Sequence, residues 1–247
     1  MRRNILITGA SSGLGEEMAR QFAAKGHNLA LTARREDRLK ALQTELTAKH
    51  PELTILVHTL DVNDHDAVFE TFRAIDAELT LDRIIVNAGI GKGAPLGTGR
   101  FDANLITAQT NFTAVLAQAE AAMELFRARN AGHLVFISSV AGMRGMPKAV
   151  GVYAASKAAV TTLAEGLQIE LLGQPITVSA ILPGFIRTDL NNHVANLPFA
   201  VDVVPGVRSI VAAIEAEKAK AFAPAWPWVV MARVLRYAPL PLVKRMV

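Results

Sequence analysis

The chain has 247 residues, of which 51% are hydrophobic and none is cysteine, and its formal net charge is +4. Without cysteine there is no disulfide framework and no thiolate metal site; no metal is expected. The basic residues are scattered rather than gathered in a Lys/Arg block beside an aromatic platform, so no nucleic-acid partner is expected either.

An apolar run of strand type, Asn4–Thr8, leads directly into Gly9-Ala10-Ser11-Ser12-Gly13-Leu14-Gly15 and then into a stretch of helical character from Glu16 to Lys25. Glycine lacks Cβ, so the chain turns tightly there and a ligand can approach the backbone. Free N–H groups at a helix start suit a pyrophosphate. The spacing G-x-x-x-G-x-G departs from the familiar dinucleotide fingerprint G-x-G-x-x-G, and a purely structural glycine turn is the alternative. A strand that starts at residue 4 leaves no room for a cleavable signal peptide, so a cytoplasmic protein is expected.

The next strand, Asn28–Ala33, bears on which nucleotide binds. NAD-binding versions of this arrangement place an acid about 20 positions after the glycines to hold the ribose. Here the strand ends Leu31-Thr32-Ala33-Arg34-Arg35, and the first acids are Glu36 and Asp37. A planar guanidinium matches a phosphate in shape and charge. The pattern therefore predicts NADP(H), with Arg34 as the clamp for its 2′-phosphate and Arg35 beside it. The alternative is two exposed residues opening the charged helix Arg35–His50.

Two further apolar strands follow, Thr54–Leu60 ending in Asp61-Val62 and Arg83–Val86 ending in Asn87-Ala88-Gly89. Asn111 falls inside a long helical segment. The strand His133–Ile137 ends in Ser138-Ser139. Tyr153 and Lys157 stand four positions apart, on one face of a helix. A cation beside a phenol lowers a pKa that is ordinarily ~10, and a phenol so tuned exchanges a proton with an alcohol or carbonyl oxygen near neutral pH. Ser139, fourteen residues before Tyr153, can hold the same oxygen. Alone, the pair also fits a half-buried tyrosine and a solvated lysine. A strand at Ile176–Leu182 ends in Pro183-Gly184, and Thr188 follows.

Taken together, these stretches resemble the short-chain dehydrogenase/reductase (SDR) family from about residue 4 to about residue 225. The resemblance implies that Tyr153 is the general acid/base, that Lys157 lowers its pKa and binds the nicotinamide ribose, and that Ser139 positions the substrate oxygen. It implies that Asn111 holds a water in a proton relay. It places the cofactor against Gly9, Ser11, Ser12, Gly13, Leu14 and Gly15, its adenine at Asp61 and Val62, and its length along Asn87, Ala88 and Gly89. Pro183, Gly184 and Thr188 would surround the nicotinamide. The spacing from Ser139 to Tyr153 is one longer than is commonest in the family, which puts an extra residue in the loop from Met143 to Val152. Small residues at 154, 155, 158 and 159 permit close helix packing, and by analogy with the family a homodimer or homotetramer is implied.

Strands and helices alternate without a linker, which argues one α/β domain over 1–225: a Rossmann-like, doubly wound parallel sheet of about seven strands with helices on both faces. Substrate contacts are expected from Val140, Met143, Met146, Pro147, Val150, Val152 and Phe185. Residues 188–206 lack periodicity and read as a lid carrying Leu190, Leu197 and Phe199. Arg144 and Arg187 are the charged candidates nearby. The expected substrate is a lipophilic carbonyl compound or alcohol. The final stretch, 226–247, holds both tryptophans along with Arg233, Arg236, Lys244 and Arg245. Arg233, Pro239 and Pro241 break it, so it is not a membrane span. It reads as an extra wall of the pocket or a neighbouring subunit, as a peripheral contact with an anionic membrane, or as a plain terminal helix. The expected function is NADP(H)-dependent interconversion of a carbonyl and an alcohol; the alternative is a non-catalytic NADP-binding regulatory or scaffolding protein on the same fold.

Overall fold

Continuous apolar runs such as 84–86 and 134–137 arise because both faces of the sheet are covered. A computed structural model describes residues 2–189 and 197–246. The strands β1 (Asn4–Thr8), β2 (Asn28–Ala33), β3 (Ile55–Thr59), β4 (Arg83–Val86), β5 (Gly132–Ile137), β6 (Ile176–Pro183) and β7 (Lys220–Ala223) form one seven-stranded sheet in the order β3-β2-β1-β4-β5-β6-β7. Every pairing is parallel. The helices between them are α1 (Gly13–Ala23), α2 (Glu36–Lys49), α3 (His65–Glu78), α4 (Phe101–Ala108), α5 (Ala114–Arg129), α6 (Gly151–Glu170) and α7 (Val203–Glu215), followed by α8 (Ala225–Tyr237) and α9 (Leu240–Met246).

Alternation along each strand divides the core in two. Ile5 and Ile7 pack with Met18 and Phe22 of α1, Leu39 and Leu42 of α2, and Ile210 and Ile214 of α7. Leu6, between them, faces Val68 and Phe72 of α3, Val115 and Phe126 of α5, and Val160 of α6. This is a Rossmann-like, doubly wound α/β fold. The strand order reverses between β1 and β4, and at such a switch point a crevice opens beyond the carboxyl ends of the strands.

Asn111 lies inside a long helical segment, at a π-helical turn, Gln109–Thr113, between α4 and α5. Two local readings change. The predicted lid ends sooner than residue 206, because α7 starts at Val203; Pro205 fits in its first turn, where a missing N–H costs nothing. Leu190, within the predicted lid, lies outside the described residues. Finally, Arg144 is not a substrate ligand here. Its guanidinium donates to the carbonyls of Arg236 (2.7 Å) and Ala238 (3.0 Å) at the end of α8, satisfying oxygens that a helix terminus leaves free.

At the amino-terminal end of the central strands Arg83, 2% exposed, donates to His133 Nδ1 (2.9 Å) and to Glu215 (2.5 Å). His133 therefore carries its proton on Nε2, 2.8 Å from Ser179 Oγ. Burial, reinforced by the Arg83 charge, holds His133 down at about 3.

Candidate active site

The glycine turn is built for close approach. Gly9 (φ +67°) and Gly13 (φ +58°) occupy the left-handed region that costs glycine nothing. A Cβ on Gly9 would stand 2.8 Å from the Ala88 Cα. Thr8 Oγ1 accepts from the N–H groups of Asn87 (3.1 Å) and Ala88 (3.2 Å), and the Asn87 amide donates to Thr8 O (2.8 Å). The turn and the end of β4 are thereby stitched into one rigid floor. Ser12 sits at the N-cap of α1 but makes no capping hydrogen bond, so the first-turn N–H groups of α1 are not taken by the cap and face an anion site.

The two arginines divide the work. Arg35 donates to Ser11 Oγ (3.0 Å) and Ser12 Oγ (2.7 Å) and so braces the turn. Arg34 is 66% exposed in its side chain, with Asp61 Oδ2 3.9 Å away. It borders the same cavity as Arg35, Asp61 and Val62. No carboxylate stands at the end of β2, where Ala33 is buried.

That cavity measures about 1,320 Å³, against roughly 300–1,000 Å³ for an ordinary small-molecule pocket. It runs from Gly9, Ser11, Ser12, Gly13 and Leu14 past Asn87, Ala88 and Gly89 to Ser139, Tyr153, Lys157, Pro183, Gly184 and Thr188. Gly15 stands behind the turn, where a side chain would run into the carbonyl of Gly9. The glycine cradle and the uncapped helix start fit a dinucleotide.

At the far end α6 presents Tyr153 and Lys157 side by side, with Lys157 Nζ 6.0 Å from the phenol ring centre. Lys157 is buried, and its ammonium donates to Ile137 O (2.8 Å). Burial pulls it down to about 8. Burial also pushes the Tyr153 phenol above its ordinary value, while the neighbouring Ser139 hydroxyl pulls the other way. The Lys157 ammonium is engaged with the Ile137 carbonyl at 2.8 Å. Ser138 and Ser139 separate cleanly. The Ser138 hydroxyl donates to Lys157 O (2.8 Å) and meets Thr161 Oγ1 (2.8 Å), tying β5 to α6. Ser139 is the one beside the phenol. Asn111 is fully buried behind Gly89. Its Oδ1 accepts from Ile90 N and its Nδ2 donates to Ile90 O, both at 2.8 Å.

The apolar wall differs in part from expectation. Val140, Met146, Pro147, Val150, Phe185, Leu197 and Phe199 line the cavity; Met143 and Val152 do not. Met143 packs instead against the core on the α6 side, and Arg187 is exposed away from the lining. Trp228, Met231 and Leu235 of α8, within the final stretch for which an extra pocket wall is one of the three readings, also reach the cavity. Their spacing is the apolar stripe of an amphipathic helix, a signal present in the chain but with no address until the helix is placed. The Trp228 indole lies against Gly184, edge-to-face with Phe185 (5.3 Å) and Phe199 (6.1 Å).

Comparison with known proteins agrees with this geometry. A family model described as short chain dehydrogenase matches residues 3–196. An uncharacterized oxidoreductase of Mycobacterium tuberculosis is 48% identical over 245 residues, covering 99% of this chain and 97% of the relative. The structure of a short-chain dehydrogenase from Sphingobium yanoikuyae in complex with NADPH superposes with a TM-score of 0.82 at 29% identity, over 98% of this chain and 95% of that one. A bulky-bulky ketone specific alcohol dehydrogenase from Comamonas testosteroni gives 0.78 at 29% identity, over 94% and 92%.

Proposed function

This chain belongs to the short-chain dehydrogenase/reductase family and is an oxidoreductase of that type, and on that premise we propose that it interconverts a ketone or aldehyde with an alcohol, using NADP(H), on a hydrophobic substrate. The observation that carries this reading is the convergence of the Tyr153 phenol, the Ser139 hydroxyl and the Lys157 ammonium at one end of a crevice whose other end holds a glycine turn and two arginines.

The glycine turn and the start of α1 would hold the pyrophosphate, Arg34 the 2′-phosphate, and Lys157 the nicotinamide ribose. When bound, the reduced cofactor supplies a hydride to the carbonyl carbon. Tyr153 donates its proton to the carbonyl oxygen, and Ser139 orients that oxygen. Lys157, titrating near 8, returns the proton to Tyr153, and Asn111, which holds the Ile90 backbone in place, would position a water that continues the relay. Oxidation of the alcohol runs the same steps backwards.

Hydrophobicity of the substrate is supported by Val140, Met146, Phe185, Trp228, Met231 and Leu235 on the wall. The NADPH bound in the Sphingobium relative and the bulky ketones of the Comamonas enzyme point the same way. Association of two copies is supported by an apolar groove of about 580 Å³ along α6, lined by Phe112, Ala159, Leu163 and Leu167; analytical ultracentrifugation tests it.

The decisive assay follows NADPH absorbance over a panel of aliphatic, aryl and polar ketones and aldehydes. Turnover should favour apolar ketones, and Tyr153→Phe should retain NADPH binding while losing about 10²–10⁴-fold in kcat. A folded Tyr153→Phe protein with wild-type kcat would remove Tyr153 from the proton-transfer role; a wild type that binds NADPH and reduces nothing would leave the non-catalytic reading standing.

A further inference from the structure

The α8 helix has two apolar faces, and only one is used by the fold. Trp228, Ala232 and Leu235 are buried, the first and last of them on the cavity wall. The opposite side carries Trp226 (77% exposed), Val230, Val234 and Tyr237 (78% exposed), and Leu240 (72% exposed) and Leu242 continue the patch into α9. Solvent-facing tryptophan, tyrosine and leucine grouped like this mark an interaction surface. Arg233, Arg236 and Lys244 are exposed beside them. Residues 218–247 contain six Lys and Arg and no Asp or Glu, so more than the whole of the chain's net +4 resides here.

We propose that the outer face of α8 and the start of α9 dock on an anionic lipid surface. A helix with large apolar residues on one side and arginines at the border lies in the headgroup plane, its aromatic rings at the level where one end is apolar and the other wet. Anionic lipid supplies the charge that the segment lacks. A second copy of the chain is the weaker occupant, since a twofold interface would set this patch against itself, bringing Arg233, Arg236 and Lys244 against their own copies. No described helix is long and apolar enough to cross a membrane, so the contact is peripheral. Docking would set the lipid against the reverse side of a helix that walls the catalytic crevice.

The test is co-sedimentation of the full chain with vesicles of phosphatidylcholine alone and of phosphatidylcholine mixed with phosphatidylglycerol, at low and at physiological salt. The expected result is binding only to the mixed vesicles, weakened by salt, and reduced at least tenfold by Arg233→Glu with Arg236→Glu and, separately, by Trp226→Ser with Tyr237→Ser. These side chains are exposed, so the variants should keep the wild-type melting temperature. Trp228→Phe leaves Trp226 as the sole tryptophan, and its emission should shift to the blue on adding mixed vesicles. No binding to mixed vesicles, or binding that ignores both double substitutions, would overturn the proposal. So would sedimentation velocity showing a self-associated wild type that these substitutions dissociate. Each readout is independent of turnover, so failure of the carbonyl-reductase reading leaves this result interpretable.

Discussion

The contact between Gly184 and Trp228 fixes α8 over the end of β6, and a single methyl group tests it. Built on Gly184, a Cβ falls within the van der Waals envelope of the indole, against Nε1, Cδ1 and Cε2 of Trp228. Carbon atoms settle at ~3.5–4 Å, so the ring would have to retreat by about 1.5 Å. Phe185 and Phe199 meet it edge-on at 5.3 and 6.1 Å and leave it little room. Overpacking of this kind costs about 1–3 kcal/mol, and at about 2 kcal/mol the melting temperature of a chain of this size drops by ~4–8 °C. Trp228→Leu alone should cost about 2–3 kcal/mol, less than the ~3–5 kcal/mol of truncation to alanine. In that background Gly184→Ala meets no ring and should cost close to nothing, giving a coupling of about 2 kcal/mol. Thermal and urea melts of the four proteins measure this directly. If Gly184→Ala melts with the wild type, or if the two costs simply add, α8 does not lie where the structure puts it, and the cavity wall it supplies is lost with it.

Other consequences are as direct. Arg34→Ala should raise the Kd for NADPH about 10- to 100-fold, the loss of one charge-assisted contact, and leave NADH within about twofold; equal losses in fluorescence titration would remove Arg34 from the 2′-phosphate. Lys157 loses its proton as pH rises through about 8, so kcat/KM for carbonyl reduction should fall above that value, and Lys157→Arg should move the fall upward; an unchanged profile in the variant would assign the limb to another group. His133 sits at about 3 in the fold against an ordinary 6.5. Between those values the unfolded chain binds the extra proton, so stability drops as pH falls through that window. His133→Gln should reduce the slope of stability against pH by up to one proton between about pH 6 and 4.5, which urea melts across that range resolve; an undiminished slope would show that His133 is not held neutral.

Much of the site is legible in the chain. Asn4–Gly15 states a strand, a glycine turn and a helix start in consecutive residues, and Arg34 follows the second strand directly, because these features depend on local backbone geometry and on residue order. Tyr153 and Lys157 share a helix face through helical periodicity alone. Three things wait for the tertiary structure. Ser138 and Ser139 are adjacent and chemically identical; only the packing of β5 on α6 turns one hydroxyl to Lys157 O and leaves the other beside the phenol. The sign of the shift at Tyr153 depends on burial, which is not written in a four-residue spacing. Trp228, Met231 and Leu235 form a readable stripe, but a stripe says only that something covers it. What covers it is settled by a contact between residues far apart in sequence, the fit of an indole over the bare backbone of Gly184, and the energy of that fit belongs to neither segment alone.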